Sequence, residues 1–141
     1  MRTTLTFAEV VAGVGAAISA YTQALDDGRT EDVVETFCPD GVCDIPGMGL
    51  HGGRDALYAA YTRWAPRQPQ RHLVLNTLVT DWDQHEATAV SDVVFILLGE
   101  KGWTIQLVGR YHDVLRRDGG DGRTWRFKRR TATFVTPDTA S

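Results

Sequence analysis

The sequence predicts an α+β fold in which a strongly curved antiparallel sheet wraps around three N-terminal helices. Apolar residues recur with the helical period up to about residue 65, and four long strand-like runs separated by short polar turns follow. A long antiparallel sheet curls, and helices packed inside the curl leave a cone-shaped barrel that can hold a ligand. At 141 residues, the chain is expected to form a single domain over residues 1–141.

The three helices are predicted from apolar periodicity and from their end signals. The first covers residues 7–25 and ends at the polar stretch DDGR. The second is short and runs from an N-cap at Thr30 to Phe37, with acidic residues in its first turn. The third covers residues 54–65 and stops before Pro66. The stripe of the first helix consists of Phe7, Val10, Val11, Val14, Ile18, Tyr21 and Leu25.

The strands are predicted from β-rich runs bounded by turn residues. The stretch VCDIPGMGLHGG indicates two short strands around a Pro/Gly turn. Hairpin connections DWDQ, GEKG and DGGDG then separate the four long runs. These runs cover residues 71–80, 86–98, 103–117 and 124–135, and residues 136–141 are expected to form a loose tail.

Composition argues against several classes of partner. A net charge of -3 and a pI near 5.7 do not favour nucleic acid. The one basic run should divide between two strand faces; it consists of Arg126, Lys128, Arg129 and Arg130. No run is long enough for a membrane span. Cys38 and Cys43 suit neither a disulfide framework nor a zinc half-site, so a reducing cytoplasm is the expected location.

Other motifs carry little functional weight. GMGLHG matches the dinucleotide pattern G-x-G-x-x-G, but it lies outside any parallel βαβ unit, so its glycines are expected to serve turns. His51, His85 and His112 lack the spacing of metal ligands, and no G-x-S-x-G motif is present. We therefore expect no metal and no cofactor.

His72 and Asn76 are unusual because they share one face of a run that otherwise indicates a buried strand. Strand residues alternate between faces, so His72, Val74, Asn76 and Leu78 should lie together. A buried imidazole or amide needs a hydrogen-bond partner. The two side chains therefore either satisfy structural roles or line a pocket.

Other polar residues are placed to converge on His72. Asp26 ends the first helix, and Tyr21 lies five residues earlier on its inward face. Asp92 interrupts an apolar strand, while Arg110 and Arg130 lie in the last two strands. Each also suits a structural role, as a helix-end acid, a core tyrosine, an edge residue or a solvated arginine. Five such residues in the core-forming elements of so small a domain together indicate a site.

The order of these motifs resembles a known family. YTQALDDGRTEDVVETFCPDGVCDIPGMGLHGGRDAL looks like the opening of SnoaL-like proteins, within the nuclear-transport-factor-2-like superfamily. RHLVLNTLVTDWDQHEATAVSDVVF and GRYHDVLRR, followed by WRFKRRTATF, look like the later strands of that family. The resemblance covers nearly the whole chain and implies the same cone-shaped α+β barrel.

Within this superfamily the chain is similar to cofactor-free lyases: scytalone dehydratase, bile-acid 7α-dehydratase and hexachlorocyclohexane dehydrochlorinase. The resemblance implies a catalytic pair of Asp26 and His72, assisted by Tyr21. It also implies that Asp92 and the two arginines, Arg110 and Arg130, contact substrate. The residues of the second hairpin and third helix match no single member, so no particular substrate is implied.

We expect the pocket to open between the first and third helices and the concave sheet face. Its predicted lining is Tyr21, Trp64, Val74, Asp92, Phe95, Arg110 and Arg130. Asn76 should line the deeper pocket or brace a neighbour.

The expected function is a cofactor-independent lyase of the dehydratase type, acting on a small, largely apolar, hydroxylated cyclic substrate. His72 is the expected base, oriented by Asp26. An isomerase or polyketide cyclase using the same base remains an alternative, as does a non-catalytic binding or assembly domain. Apart from the small-molecule substrate, the expected partners are further copies of the chain, in a dimer or trimer joined through the outer sheet face.

Overall fold

The computed structural model describes residues 4–118 and 120–135, so the predicted loose tail lies outside the described residues. The helices are α1 (Phe7–Asp26), α2 (Thr30–Glu35) and α3 (Arg54–Arg63). The strands are β1 (Phe37–Ile45), β2 (Gly49–Gly52), β3 (Gln70–Trp82), β4 (Glu86–Gly99), β5 (Gly102–Arg117) and β6 (Trp125–Val135). No helix in the described residues is long and apolar enough to cross a membrane.

The six strands form one open, curved sheet in the order β2-β1-β6-β5-β4-β3. The α+β fold class is confirmed, with long strands curving around the helices. The sheet is mixed rather than wholly antiparallel, because β1 pairs with β6 in parallel. This pairing places the β1–β2 hairpin beside the last strand, where it extends one end of the sheet.

The predicted boundaries of the second helix were wrong. Arg29 rather than Thr30 is its N-cap, and the helix ends at Glu35. Phe37 already belongs to β1, as do the residues CPDG that follow it. The parallel pairing with β6 explains the difference, because Phe37 aligns with Phe127 in the sheet. Long-range pairing thus overrides the local helical signal.

The main core lies between α1, α3 and the concave face of the sheet. Val10, Val14 and Leu57 are fully buried there, together with Phe37 and Phe127. Inward-facing residues of β4 are small near its start, where Ala87 and Ala89 pack against this core. Towards the other end of β4 the inward residues are Val93 and Phe95, and there the sheet borders a cavity.

Gly13 allows α1 to approach the sheet, and it provides a test of this packing. A Cβ at Gly13 would lie 2.4 Å from Cδ1 of Trp125, whereas one at Gly15 would meet nothing within 4 Å. Gly15→Ala should therefore raise the free energy of unfolding by up to about 1 kcal/mol through helix propensity. Gly13→Ala should lower it by about 1–3 kcal/mol, because overpacking outweighs that gain. Urea titrations of both variants measure the difference, and equal stabilisation would contradict the packing described.

Candidate active site

One cavity of about 280 Å³ opens between α1, α3 and the concave sheet face. Its lining is mainly aromatic and aliphatic, and among the described residues no Asp, Glu, Lys or Arg lines it. Polar groups come from His72, Gln70 and three tyrosines. The complete lining is Tyr21, Leu25, Ile45, Met48, Tyr61, Trp64, Gln70, His72, Val93, Phe95, Leu107, Tyr111, Ala132 and Phe134. Such a cavity suits an uncharged, largely apolar molecule.

His72 and Asp26 are in direct contact at the edge of this cavity. His72 Nδ1 lies 2.7 Å from Asp26 Oδ1, and the backbone N–H of His72 donates to Asp26 Oδ2 over 2.8 Å. Gln70 Nε2 also donates to Oδ1, over 3.1 Å. The Asp26 side chain is 6% exposed and that of His72 16%. The imidazole stacks on Phe95, with ring centroids 4.5 Å apart.

The hydrogen bonds keep Asp26 ionised. Burial raises the pKa of this carboxyl, but the hydrogen bonds and charge of His72, together with the hydrogen bond from Gln70, lower the pKa by a larger amount. The net pKa is below the ordinary value, so a carboxylate faces His72 at neutral pH. A carboxylate can only accept, so Nδ1 carries a proton. In a neutral imidazole, Nε2 then keeps a free lone pair.

Two of the three tyrosines, Tyr21 and Tyr61, have hydroxyl groups that contact each other within the cavity wall. Their oxygens are 2.6 Å apart, and the Tyr61 hydroxyl lies 3.3 Å from Cys43 Sγ. Burial raises the pKa of Tyr21 and of Tyr61 well above the usual value, so both phenols stay protonated. Both are therefore available as hydrogen-bond donors.

Arg130 does not line the cavity as predicted but lies behind its wall. The side chain is fully buried, and it donates to Asp113 from Nε over 2.9 Å and from Nη2 over 3.3 Å. Its guanidinium carbon lies 3.5 Å from the ring centroid of Tyr111 and 4.3 Å from that of Tyr21. Burial lowers the pKa of Arg130, but Asp113 and the tyrosines reverse this and hold it above the ordinary value.

Asp92 and Arg110 lie on the outer face of the sheet, so their predicted places in the cavity were wrong. Asn76 lies there too and braces Asp92, which is the second of the two roles predicted for it. Arg110 donates to Asp92 over 2.9 and 3.0 Å, and Asn76 Nδ2 donates to the same carboxylate over 2.9 Å. The neighbours of Asp92 on β4, Ser91 and Val93, are buried on the inner face. Alternation along a regular strand therefore turns Asp92 outward, and Arg110 pairs directly opposite it.

A β-bulge in β3 explains the position of Asn76. Leu75 pairs with Asp92 and Leu78 with Val90, so Asn76 and Thr77 together oppose the single residue Ser91. Asn76 has a φ of 57°, a left-handed conformation that asparagine tolerates better than most residues. As a result Asn76 points outward and Thr77 turns inward, where its hydroxyl lies 2.9 Å from Ser91 Oγ.

Of the predicted lining, Tyr21, Trp64 and Phe95 lie in the cavity wall together with His72. Val74 faces inward but packs against the core instead. Sequence reasoning missed Tyr61 and Tyr111. Leu115 is fully buried, and alternation along β5 places Tyr111 and Asp113 on the same inner face.

The remaining motifs carry no site. Of the glycines of GMGLHG, Gly47 lies in the turn between β1 and β2, whereas Gly49 and Gly52 are the two ends of β2. The His51 ring packs against Trp64. Within the ranges described, no group of three or more His, Cys, Asp or Glu side chains is arranged to hold a metal ion.

A curved sheet around helices, with a cavity between them, is the nuclear-transport-factor-2-like fold. The model of the SnoaL-like domain family matches residues 7–131, and the chain belongs to this family. The family includes polyketide cyclases, dehydratases and isomerases. No curated protein matches the chain by sequence.

Several solved structures share the fold. A Catenulispora acidiphila protein in complex with S-DNPA is 26% identical, with a TM-score of 0.82 and coverage of 95% of this chain and 99% of that one. The D26N form of a Mycobacterium tuberculosis protein of unknown function, Rv3472, is 25% identical, with a TM-score of 0.82 and coverage of 93% and 76%. A provisionally assigned scytalone dehydratase from Novosphingobium aromaticivorans is 22% identical, with a TM-score of 0.76 and coverage of 89% and 84%, and shows the fold alone.

Proposed function

We propose that the protein is a cofactor-independent lyase that removes water from a small, largely apolar β-hydroxy ketone with a ring. His72 is the base, Asp26 orients it and Tyr21 is the hydrogen-bond donor. One observation carries the proposal: the Asp26 carboxylate accepts from His72 Nδ1 over 2.7 Å, in the wall of an apolar cavity. This contact leaves Nε2 as the basic nitrogen.

The reaction follows from these groups in two steps. His72 Nε2 takes a proton from the carbon beside the carbonyl, and the C–H electron pair forms the enolate. The enolate then re-forms the carbonyl and a carbon–carbon double bond, and the C–O bond of the β-hydroxyl breaks. The imidazolium returns its proton to this departing oxygen, which leaves as water. Asp26 stabilises the imidazolium between the two steps.

Tyr21 stabilises the enolate oxygen in this scheme. If Cys43 donates to Tyr61 and Tyr61 donates to Tyr21, the Tyr21 proton is left for the substrate. Donors in such a chain polarise one another, which strengthens the last of them. Loss of one oxyanion donor typically costs about 3 kcal/mol in the barrier. Tyr21→Phe should therefore be milder than loss of the base.

An isomerase or cyclase is the second candidate, because the same two groups favour it. Proton abstraction by His72 and enolate stabilisation by Tyr21 are also what these reactions need. They differ from the lyase in keeping every atom of the substrate. The product therefore separates the two candidates.

A panel of cyclic β-hydroxy ketones tests the proposal. The purified protein should form the conjugated enone, which is followed by its ultraviolet absorbance, and mass spectrometry should show loss of water. A rearranged product of unchanged mass would support the isomerase or cyclase instead. Binding without any conversion across the panel would contradict both and favour a non-catalytic domain.

We also propose that the protein assembles with further copies of itself, as a dimer or trimer, through the outer face of the sheet. Large apolar side chains are 41–68% exposed there. The central charges, Asp92 and Arg110, already neutralise each other, so the surface suits an identical apolar surface. We call this surface the outer apolar patch; it consists of Leu73, Leu75, Leu78, Trp103, Ile105 and Val108.

Replacing Ile105 by lysine should shift the protein towards monomer, because the charge would have to be buried within the contact. Ile105 is 68% exposed, so the monomer itself should fold normally. Light scattering at micromolar concentration measures the change. Leu50→Lys is the matched control, since Leu50 is 60% exposed but lies outside the patch, on β2. A wild-type protein that is monomeric under these conditions would refute the proposal.

A further inference from the structure

Tyr111 presents a hydroxyl that the proposed reaction does not yet use. The residue lies on the inner face of β5, is 5% exposed and lines the cavity. Its hydroxyl makes no hydrogen bond to any residue of the described ranges. The oxygen is not fully enclosed by protein, and the residue lines the cavity, so the hydroxyl is open to the cavity.

The other two tyrosines of the cavity differ in this respect. The hydroxyls of Tyr21 and Tyr61 lie 2.6 Å apart, so each has a protein hydrogen-bond partner. A buried tyrosine normally finds a partner for its O–H group. Tyr111 therefore depends on the contents of the cavity for that partner.

The ring of Tyr111 is held from behind by a charged group. The Arg130 guanidinium carbon lies 3.5 Å from the ring centroid, and two hydrogen bonds to Asp113 hold the guanidinium in place. A cation over an aromatic face is attracted to it, more strongly when desolvated. This stacking restricts the tyrosine before any ligand arrives, which reduces the entropy lost on binding.

The protonation state supports a donor role for Tyr111. Burial raises the pKa of Tyr111 to about 12, and the opposing effect of Arg130 is smaller. The phenol thus keeps its proton at neutral pH. The group can donate to an acceptor oxygen of a ligand, and it is not a base.

We propose that Tyr111 is a second substrate-binding residue, whose hydroxyl donates a hydrogen bond to a carbonyl oxygen of the bound molecule. The inference rests on the proposed function in that it takes the same cavity as the ligand site. Arg130 and Asp113 are then positioning residues, which act on the ligand only through the tyrosine ring.

The test uses 2-tetralone, a neutral bicyclic ketone, and tetralin, the hydrocarbon that lacks its oxygen. Infrared difference spectra should show the carbonyl stretch of bound 2-tetralone at lower frequency than in an apolar solvent. In Tyr111→Phe this band should move back towards higher frequency, and the Kd for 2-tetralone should rise about 2- to 10-fold, the range expected for one hydrogen bond. The Kd for tetralin should not change, which checks that the cavity is intact.

Tyr58→Phe is the matched control, because Tyr58 is 47% exposed on α3 and lies outside the cavity. It should leave the band and both Kd values as in the wild type. The proposal is overturned if Tyr111→Phe leaves the carbonyl band and the 2-tetralone Kd unchanged, or if the wild type does not bind 2-tetralone. Failure of the proposed function would be seen in a separate measurement, if His72→Gln did not slow proton removal from the ketone.

Discussion

Replacing His72 by glutamine is expected to lower turnover of a productive β-hydroxy ketone by about 10²- to 10⁴-fold, the usual effect of losing a general base. Glutamine retains a polar side chain of similar reach but has no basic nitrogen at neutral pH. His72 lies at the cavity edge rather than in the core, so the melting temperature should change by only a few degrees. Turnover and thermal melts of the same samples measure the two effects separately.

Asp26→Asn should be nearly as damaging, because an amide cannot replace both oxygens of the carboxylate. Asp26 Oδ2 accepts from the His72 backbone N–H, and Oδ1 accepts from the ring. An asparagine that keeps one bond places its NH₂ group against the other donor. With the NH₂ group towards the ring, the imidazole is driven to the tautomer in which Nε2 carries the proton. Asp27→Asn is the control, because Asp27 is the neighbouring acid with a side chain 53% exposed.

A large loss of melting temperature with little loss of turnover would indicate that His72 and Asp26 have a structural role. A structural pair, when broken, lowers the melting temperature by several degrees and leaves the chemistry of the remaining folded protein unchanged. Variants that melt early but turn over at the wild-type rate when folded would therefore contradict the base assignment.

Arg130→Met is expected to produce the largest loss of stability, about 3–5 kcal/mol in the free energy of unfolding. Both Arg130 and Asp113 have fully buried side chains, so methionine would leave a carboxylate desolvated and unpaired. Burial already raises the pKa of Asp113, and the guanidinium opposes this effect. The expected fall in melting temperature is on the order of 10 °C.

Arg129→Met is the matched control, one residue away in the same strand. Arg129 pairs with Asp44 over 3.1 Å, but the side chains are 47% and 37% exposed. Such a pair typically contributes about 0–1 kcal/mol. In the double variant Arg130→Met with Asp113→Leu, the loss should be smaller than in Arg130→Met alone, because no charge remains buried. Equal losses for Arg130→Met and Arg129→Met would contradict this account.

The contact between His72 and Asp26 was predictable because its two parts follow from separate local features. Asp26 ends a helix with a clear apolar stripe, and Gly28 follows in a left-handed conformation with a φ of 73°. His72 is the third residue of β3, which follows a loop that contains Pro66 and Pro69. The resemblance to SnoaL-like proteins joined these two positions into one site.

The positions of Asp92 and Arg110 show where sequence reasoning failed. Asp92 and Phe95 are three residues apart, and a regular strand cannot place both on one face. The predicted lining therefore contained a conflict, which β4 resolves by turning Phe95 inward. Asn76 also gave a signal, because asparagine within an apolar strand is a candidate for the left-handed residue of a bulge.

The parallel pairing of β1 with β6 was not predictable from local patterns. Phe37 and Phe127 are paired although they lie far apart in the sequence. Nothing in the composition of either strand specifies a partner so distant. In the same region, Lys128 is an extra residue between the paired positions Phe127 and Arg129, so β6 has a bulge there. Because of this bulge, Phe127 and Arg130 both face the buried side of the sheet.

The most direct test of His72 as a base is deuterium exchange into 2-tetralone, since this measures proton removal without requiring the natural substrate. The ketone is incubated with protein in D₂O, and mass spectrometry follows deuterium entering beside the carbonyl. The wild type should accelerate exchange well above buffer, His72→Gln should lower the protein-dependent rate by about 10²- to 10⁴-fold, and Asp27→Asn should leave it unchanged. Exchange that is equally fast with His72→Gln, or no faster with the wild type than in buffer, would contradict the account.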